Sequence, residues 1–139
     1  MTTTAPVSTT RASPFSRRRL VLIAVSAAII NLAAFLVAGT FGASMIVSSP
    51  QQMQLTAVVV IAATVVPLIG AGLVTWLIAR AAPGFRRVAA WVGLALAILS
   101  CASPLLVSED VTTGIALGAM HLIAGVSWYI ALMTGRAAR

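Results

Sequence analysis

Residues 113–133, TGIALGAMHLIAGVSWYIALM, are apolar enough to lie in lipid, yet they carry His121, the chain's only histidine. On a helix turning ~100° per residue, Gly114, Gly118, His121, Gly125 and Trp128 fall within an arc of roughly 80°. Three glycines flatten that side of the helix, and the imidazole belongs to the flattened strip. Acyl chains gain nothing from such a strip, whereas a second helix can approach it closely. The pattern predicts that His121 faces the interior of a small helical bundle.

The rest of the chain has the same character. Of its 139 residues, 60% are hydrophobic and 8% charged, and the mean hydropathy is +1.08. A water-soluble domain carries about 25% charged residues. The apolar residues gather into four runs, at about 20–41, 55–79, 88–107 and 112–133. Each is close to the ~20 residues that cross a bilayer as a helix. The expected fold class is all-α, a four-transmembrane-helix antiparallel bundle in one membrane domain over residues 20–135.

The formal charge of +7 comes from nine arginines against two acids, with no lysine. The arginines cluster at the ends of apolar runs, so they are read as topology signals, and nucleic acid is not an expected partner. With the N-terminus in the cytoplasm, four crossings place Arg11, Arg17, Arg18, Arg19, Arg80, Arg86, Arg87, Arg136 and Arg139 on the inner side. Glu109 and Asp110 then fall outside, as does the uncharged loop 42–54. This pattern predicts a multi-pass protein of a bacterial plasma membrane with both termini cytoplasmic. Trp76, Trp91, Trp128 and Tyr129 fit an aromatic belt at the cytoplasmic boundary.

Residues 1–19 are rich in Thr, Ser, Ala and Pro before a run of three arginines, and are expected to form a disordered basic cytoplasmic tail. Residues 136–139 close the chain on the same side. Ser16-Arg17-Arg18-Arg19 has the look of a twin-arginine export signal, but the run that follows exceeds a signal core of ~7–15 residues. It is read as the anchor of the first span. Pro67 is expected to kink the second span, Pro83-Gly84 to turn the chain, and Asp110 or Thr112 to cap the fourth helix.

Small residues mark the expected contact faces. Ala24, Ala27, Asn31, Ala34 and Ala38 share one stripe of the first span. Ala90, Gly93, Ala97, Ser100 and Pro104 share one of the third, and Gly114, Gly118 and Gly125 are the packing residues of the fourth. Asn31 and His121 sit near mid-span on these stripes, where a polar side chain must turn inward. Asn31, Ser100 and His121 are therefore expected to form a buried hydrogen-bonded cluster. The Gly114-x-x-x-Gly118 pair also suits packing between two copies.

No catalytic constellation is visible. Within the predicted spans no Asp, Glu, Lys or Arg occurs, and only His121 and Cys101 could ligate a metal. Neither metal nor cofactor is expected. Cys101 is the only cysteine, so the chain cannot form an internal disulfide. The leading expectation is a non-enzymatic structural or accessory subunit. The alternative is a small transporter or channel component with a polar interior around Asn31 and His121. Expected partners are the lipid bilayer, anionic lipid headgroups at Arg80, Arg86 and Arg87, and a membrane-protein partner or a second copy.

The order of features also carries a resemblance. Gly72-Leu73-Val74-Thr75-Trp76 followed by Arg80, then Arg86-Arg87-Val88, precede Ser100-x-x-x-Pro104-Leu105 and Ala116-Leu117-x-x-Met120-His121-Leu122. This order resembles a family of small four-helix integral membrane proteins of high-GC bacteria, grouped as a domain of unknown function. The resemblance covers most of the chain from Leu20 onward. It implies the four-helix architecture and supplies no catalytic residue. Asn31 and the glycine-rich fourth helix depart from the family pattern, where Ala, Val and Leu are commoner.

Overall fold

A computed structural model describes residues 16–48 and 50–134. Helix α1 spans Arg17–Thr40, strands β1 (Ile46–Ser48) and β2 (Gln52–Gln54) form a hairpin, and α2 spans Ala57–Ala81. Helices α3 (Phe85–Ser100) and α4 (Ala102–Val107) are two parts of one apolar segment, and α5 spans Val111–Met133. Taking α3 and α4 together, four helical segments are long and apolar enough to cross a membrane. Only 11–28% of their most apolar stretches is buried within the chain. Val, Leu and Ile dominate the large side chains that face outward from them, a surface that water does not solvate favourably.

The starting boundary of the first helix is corrected. Arg17, Arg18 and Arg19 are the first turn of α1 rather than the end of a tail. Arginine is a good helix former and its long stem lies along apolar surface, so hydropathy alone placed the boundary too late. The remainder of the expected tail, residues 1–15, lies outside the described residues, as do Arg136 and Arg139. Helix α1 ends in a Schellman motif: Ala43 N–H donates to Ala38 O at 3.1 Å and Gly42 N–H to Gly39 O at 3.2 Å. Gly42 adopts φ +80°, the left-handed geometry that this motif requires.

Pro104 accounts for the break between α3 and α4. It has no N–H for the carbonyl one turn earlier, and the chain turns at Cys101 before resuming as α4. Pro67 sits inside a continuous α2. The uncharged loop 42–54 contains the β1–β2 hairpin, with Ile46 opposite Gln54 and Ser48 opposite Gln52. A further bridge ties Val47 to Ser108.

Side chains interlock where small residues permit it. The predicted stripe of α1 is largely confirmed: Ala24, Ala27, Asn31 and Ala38 are buried. Leu20 fills the space beside Gly72 of α2. Along the α3–α4 segment and α5 the close approaches are Gly93 with Trp128, Ala97 with Gly125, Cys101 with Gly118, and Leu105 with Gly114. The residue numbers rise on one helix as they fall on the other. Each expected packing glycine of α5 is thus occupied within the chain. Ala24, Ala27, Leu68, Ala90, Trp128 and Leu132 form the core cluster. Trp128 therefore belongs to the interior, not to an outward aromatic belt, and its indole N–H donates to Ala89 O at 2.8 Å. Trp91 keeps an exposed face and meets Tyr129 edge-on, with centroids 4.9 Å apart.

Candidate functional site

Asn31 is 2% exposed. Its amide donates to Thr64 Oγ1 at 2.9 Å and to Met120 O at 3.4 Å, joining α1 to α2 and α5. The Thr64 hydroxyl in turn donates to Val60 O at 2.8 Å. Among the described residues, the buried Asn31 Oδ1 atom has no donor. Such an atom costs about 1–3 kcal/mol while it stays unpaired.

The expected Asn31–Ser100–His121 cluster is not assembled. Thr64 takes the place assigned to His121 beside Asn31. His121 is exposed, and its Nδ1 lies 2.8 Å from Leu117 O in its own helix. Facing a carbonyl, Nδ1 is the donor in this contact. Among the described residues Nε2 has no partner. Ser100 is half-buried and lines neither of the cavities described below. The break at Cys101 changes the phase of the helix, and Ser103 reaches the cavity instead.

His121 remains open because no neighbouring helix closes over it. Helix α5 packs chiefly on α1 and α3, and α2 leans on α1 and touches α5 little. Two cavities result, meeting at Ala63, Thr64, His121 and Ala124. One, of about 310 Å³, lies among α2, α4 and α5 and includes Asn31, Ser103 and Met120. The other, of about 530 Å³, separates α2 from α3 over a floor of His121, Gly125 and Trp128.

At the hairpin end, Asp110 caps α5, as expected, and also clamps the loop. Its carboxylate accepts from Ser44 Oγ at 2.6 Å and Ser44 N–H at 3.1 Å. It also accepts from Thr113 N–H and Thr113 Oγ1, both at 2.7 Å. The Ser44 hydroxyl, then the Thr113 amide and hydroxyl, hold the Asp110 carboxyl well below the usual carboxylate range. Thr113 Oγ1 in turn accepts from Met45 N–H at 3.0 Å. Met45 is buried in left-handed backbone at φ +56°, a conformation costly for a side chain with a Cβ and held by this pairing. Gln52 donates to Glu109 beside it.

At the opposite end, the guanidinium groups of Arg17 and Arg80 lie 4.1 and 4.0 Å from the centre of the Trp76 ring. Arg19 donates to Thr134. Of the three expected headgroup residues, Arg80 is thus engaged with Trp76, Arg86 is half-buried and Arg87 exposed. Among the described residues no three His, Cys, Asp or Glu side chains group to hold a metal. Cys101 Sγ lies 3.1 Å from Ala97 O and 3.2 Å from Gly118 O, a packing role.

Sequence reading passed over Thr64, the Ser44–Asp110 contact and the Arg17–Trp76 contact. For Thr64 the signal was present, since Val60, Thr64, Leu68, Gly72 and Thr75 recur at helical spacing and are buried together. The other two join distant parts of the chain and leave no local pattern.

Residues 11–139 match a family of unknown function, DUF6069, and the chain belongs to that family. No curated protein matches the chain. No solved structure matches it either.

Proposed function

We propose that this DUF6069 protein is a multi-pass protein of a bacterial plasma membrane, an antiparallel four-helix bundle with both termini cytoplasmic. Its role is that of a non-enzymatic accessory subunit. The outward-facing apolar surface supports the membrane assignment, and the arginine distribution supports the orientation. Arg80, Arg86 and Arg87 then lie where anionic headgroups are available.

The observation that carries the accessory role is the groove between α2 and α3. Its walls include Ala63, Pro67 and Ala71 on one side and Ala89, Gly93 and Ala97 on the other. Small residues on both walls over an apolar floor suit the close approach of another membrane helix. In a Cys101→Ser background, a photoreactive maleimide at Ala71→Cys or Val92→Cys should cross-link a discrete protein in native membranes. The same probe at Ile29→Cys, on the outer face of α1, should give lipid adducts only. Equal patterns from all three positions would overturn the accessory role. Orientation is tested separately: an impermeant maleimide should reach Ser48→Cys from outside and Ser16→Cys only from inside.

The transporter reading draws on one observation, the grouping of Asn31, Thr64, Ser103 and His121 around one cavity. Proton or cation flux through reconstituted protein, lost in His121→Ala, would favour it over the accessory role.

A further inference from the structure

Trp76, near the end of α2, holds two cations on one ring. The guanidinium groups of Arg17 and Arg80 lie 4.1 and 4.0 Å from its centre, which puts them within about 8 Å of each other. Both arginines are exposed and the ring is half-buried. Like charges held this close repel, and a ring attracts each cation only weakly at an exposed site. No acidic side chain answers them. The chain's only two, Glu109 and Asp110, are at the hairpin end, engaged with Gln52 and with Ser44 and Thr113. The first turns of α1 and α3, which begin at the arginine end, carry no acid.

A phosphate meets this demand. A guanidinium donates to phosphate oxygens as a planar fork at about 2.7–2.9 Å, and one phosphate accepts from two arginines at once. Two such contacts on opposite sides of a phosphate reach about 8 Å from one guanidinium to the other. The surface leading away from the pair is apolar. Val21 lies one turn along α1 from Arg17, and Leu77 and Leu73 lie one and two turns back along α2 from Arg80; all three are exposed. A free phosphate would leave these side chains bare, whereas a phosphate esterified to acyl chains covers them. We propose that Arg17 and Arg80, steadied by Trp76, bind one anionic phospholipid. Its phosphate bridges α1 and α2, and its acyl chains lie along Val21, Leu73 and Leu77. This deepens the headgroup contact proposed for Arg80 and gives it Arg17 as a partner in place of Arg86 and Arg87. It rests on the membrane assignment proposed above; a failed thiol-labelling pattern would sink that reading, whereas unselective lipid binding would leave the labelling unchanged.

The test titrates the full-length protein in mild detergent with dioleoylphosphatidylglycerol or dioleoylphosphatidylcholine, and native mass spectrometry counts the bound lipid. The two share their acyl chains, but only the first carries a net negative charge. Phosphatidylglycerol should bind about ten-fold more tightly, as charge-assisted hydrogen bonds imply. Arg17→Gln and Arg80→Gln should each remove most of that preference, and the double variant little more, because a bridging phosphate needs both. Arg18→Gln and Arg87→Gln take the same charge from the same end and should keep it. Trp76→Ala retains both charges but not the ring that gathers them, and should lower the preference. An equal loss from all four arginine variants would mean a diffuse field and overturn the site. So would equal affinity for the two lipids, or an unchanged preference in Trp76→Ala. Release of the lipid by excess inorganic phosphate would assign the arginines to a soluble phosphate and overturn the lipid.

Discussion

Gly93→Ala tests the way α3 meets α5. A Cβ at residue 93 would fall on the pyrrole edge of Trp128, whose indole N–H donates to Ala89 O at 2.8 Å. Trp128 is 8% exposed and belongs to the core cluster, so its ring has little room to retreat. Overpacking of this kind costs about 1–3 kcal/mol. Moving the ring also strips the indole N–H of its acceptor, a further loss of about 1–3 kcal/mol. Against these, replacing a helical glycine by alanine returns about 1 kcal/mol. The net expectation is a loss of about 1–5 kcal/mol. Gly70→Ala is the internal control: a Cβ there meets nothing within 4 Å, so the variant should be unchanged or slightly more stable. Stability is read by SDS titration in mixed micelles, followed by circular dichroism. In a Trp128→Leu background the obstacle is gone, and Gly93→Ala should become neutral or stabilising. An equal penalty in both backgrounds, or a Gly93→Ala protein as stable as Gly70→Ala, would refute the assigned contact.

The other predictions concern the polar contacts. Asn31→Leu should be close to neutral for stability, because it removes an unpaired buried acceptor together with the two hydrogen bonds of the amide, while Thr64 keeps its bond to Val60 O. Asn31→Asp should be strongly destabilising in the same titration, since it places an unpaired charge at that depth. The Asp110 carboxyl is held below its ordinary value near 3.8, so its stabilisation is present above that value and lost as the pH falls below it. The thermal midpoint of the native protein should therefore drop as the pH is lowered from about 6 to about 3, and more steeply than that of Asp110→Asn. Trp76→Ala should cost less than about 2 kcal/mol despite freeing both Arg17 and Arg80, because cation–π contacts at exposed sites are weak. A larger loss of the folded fraction in SDS would mean that the half-buried ring contributes more by packing than by its contacts with the two arginines.

Much of the architecture was legible because the relevant signals are local. Four apolar runs of spanning length are a property of consecutive residues, and the Ala24–Ala38 stripe is a property of helical spacing. The Asp110 cap was visible for the same reason, lying beside the amide that it satisfies. Arg17, Arg18 and Arg19 were placed outside the first helix because charge was taken to bound it, although they form its first turn. The hairpin at 46–54 was missed because its short strands are held partly by a distant bridge between Val47 and Ser108.

By itself, then, the chain determined how many segments suit a bilayer, which side of each is small, and which helix ends carry charge. Tertiary structure decided where each polar side chain finds its partner. His121 occupies the arc that periodicity assigned to it, level with buried Gly118 and Gly125, yet it is open because α2 lies against α1 and does not cover it. Periodicity fixes a residue's direction from its own helix axis. Whether another helix stands in that direction depends on how all the small faces pack at once, and that is settled between segments far apart in the chain.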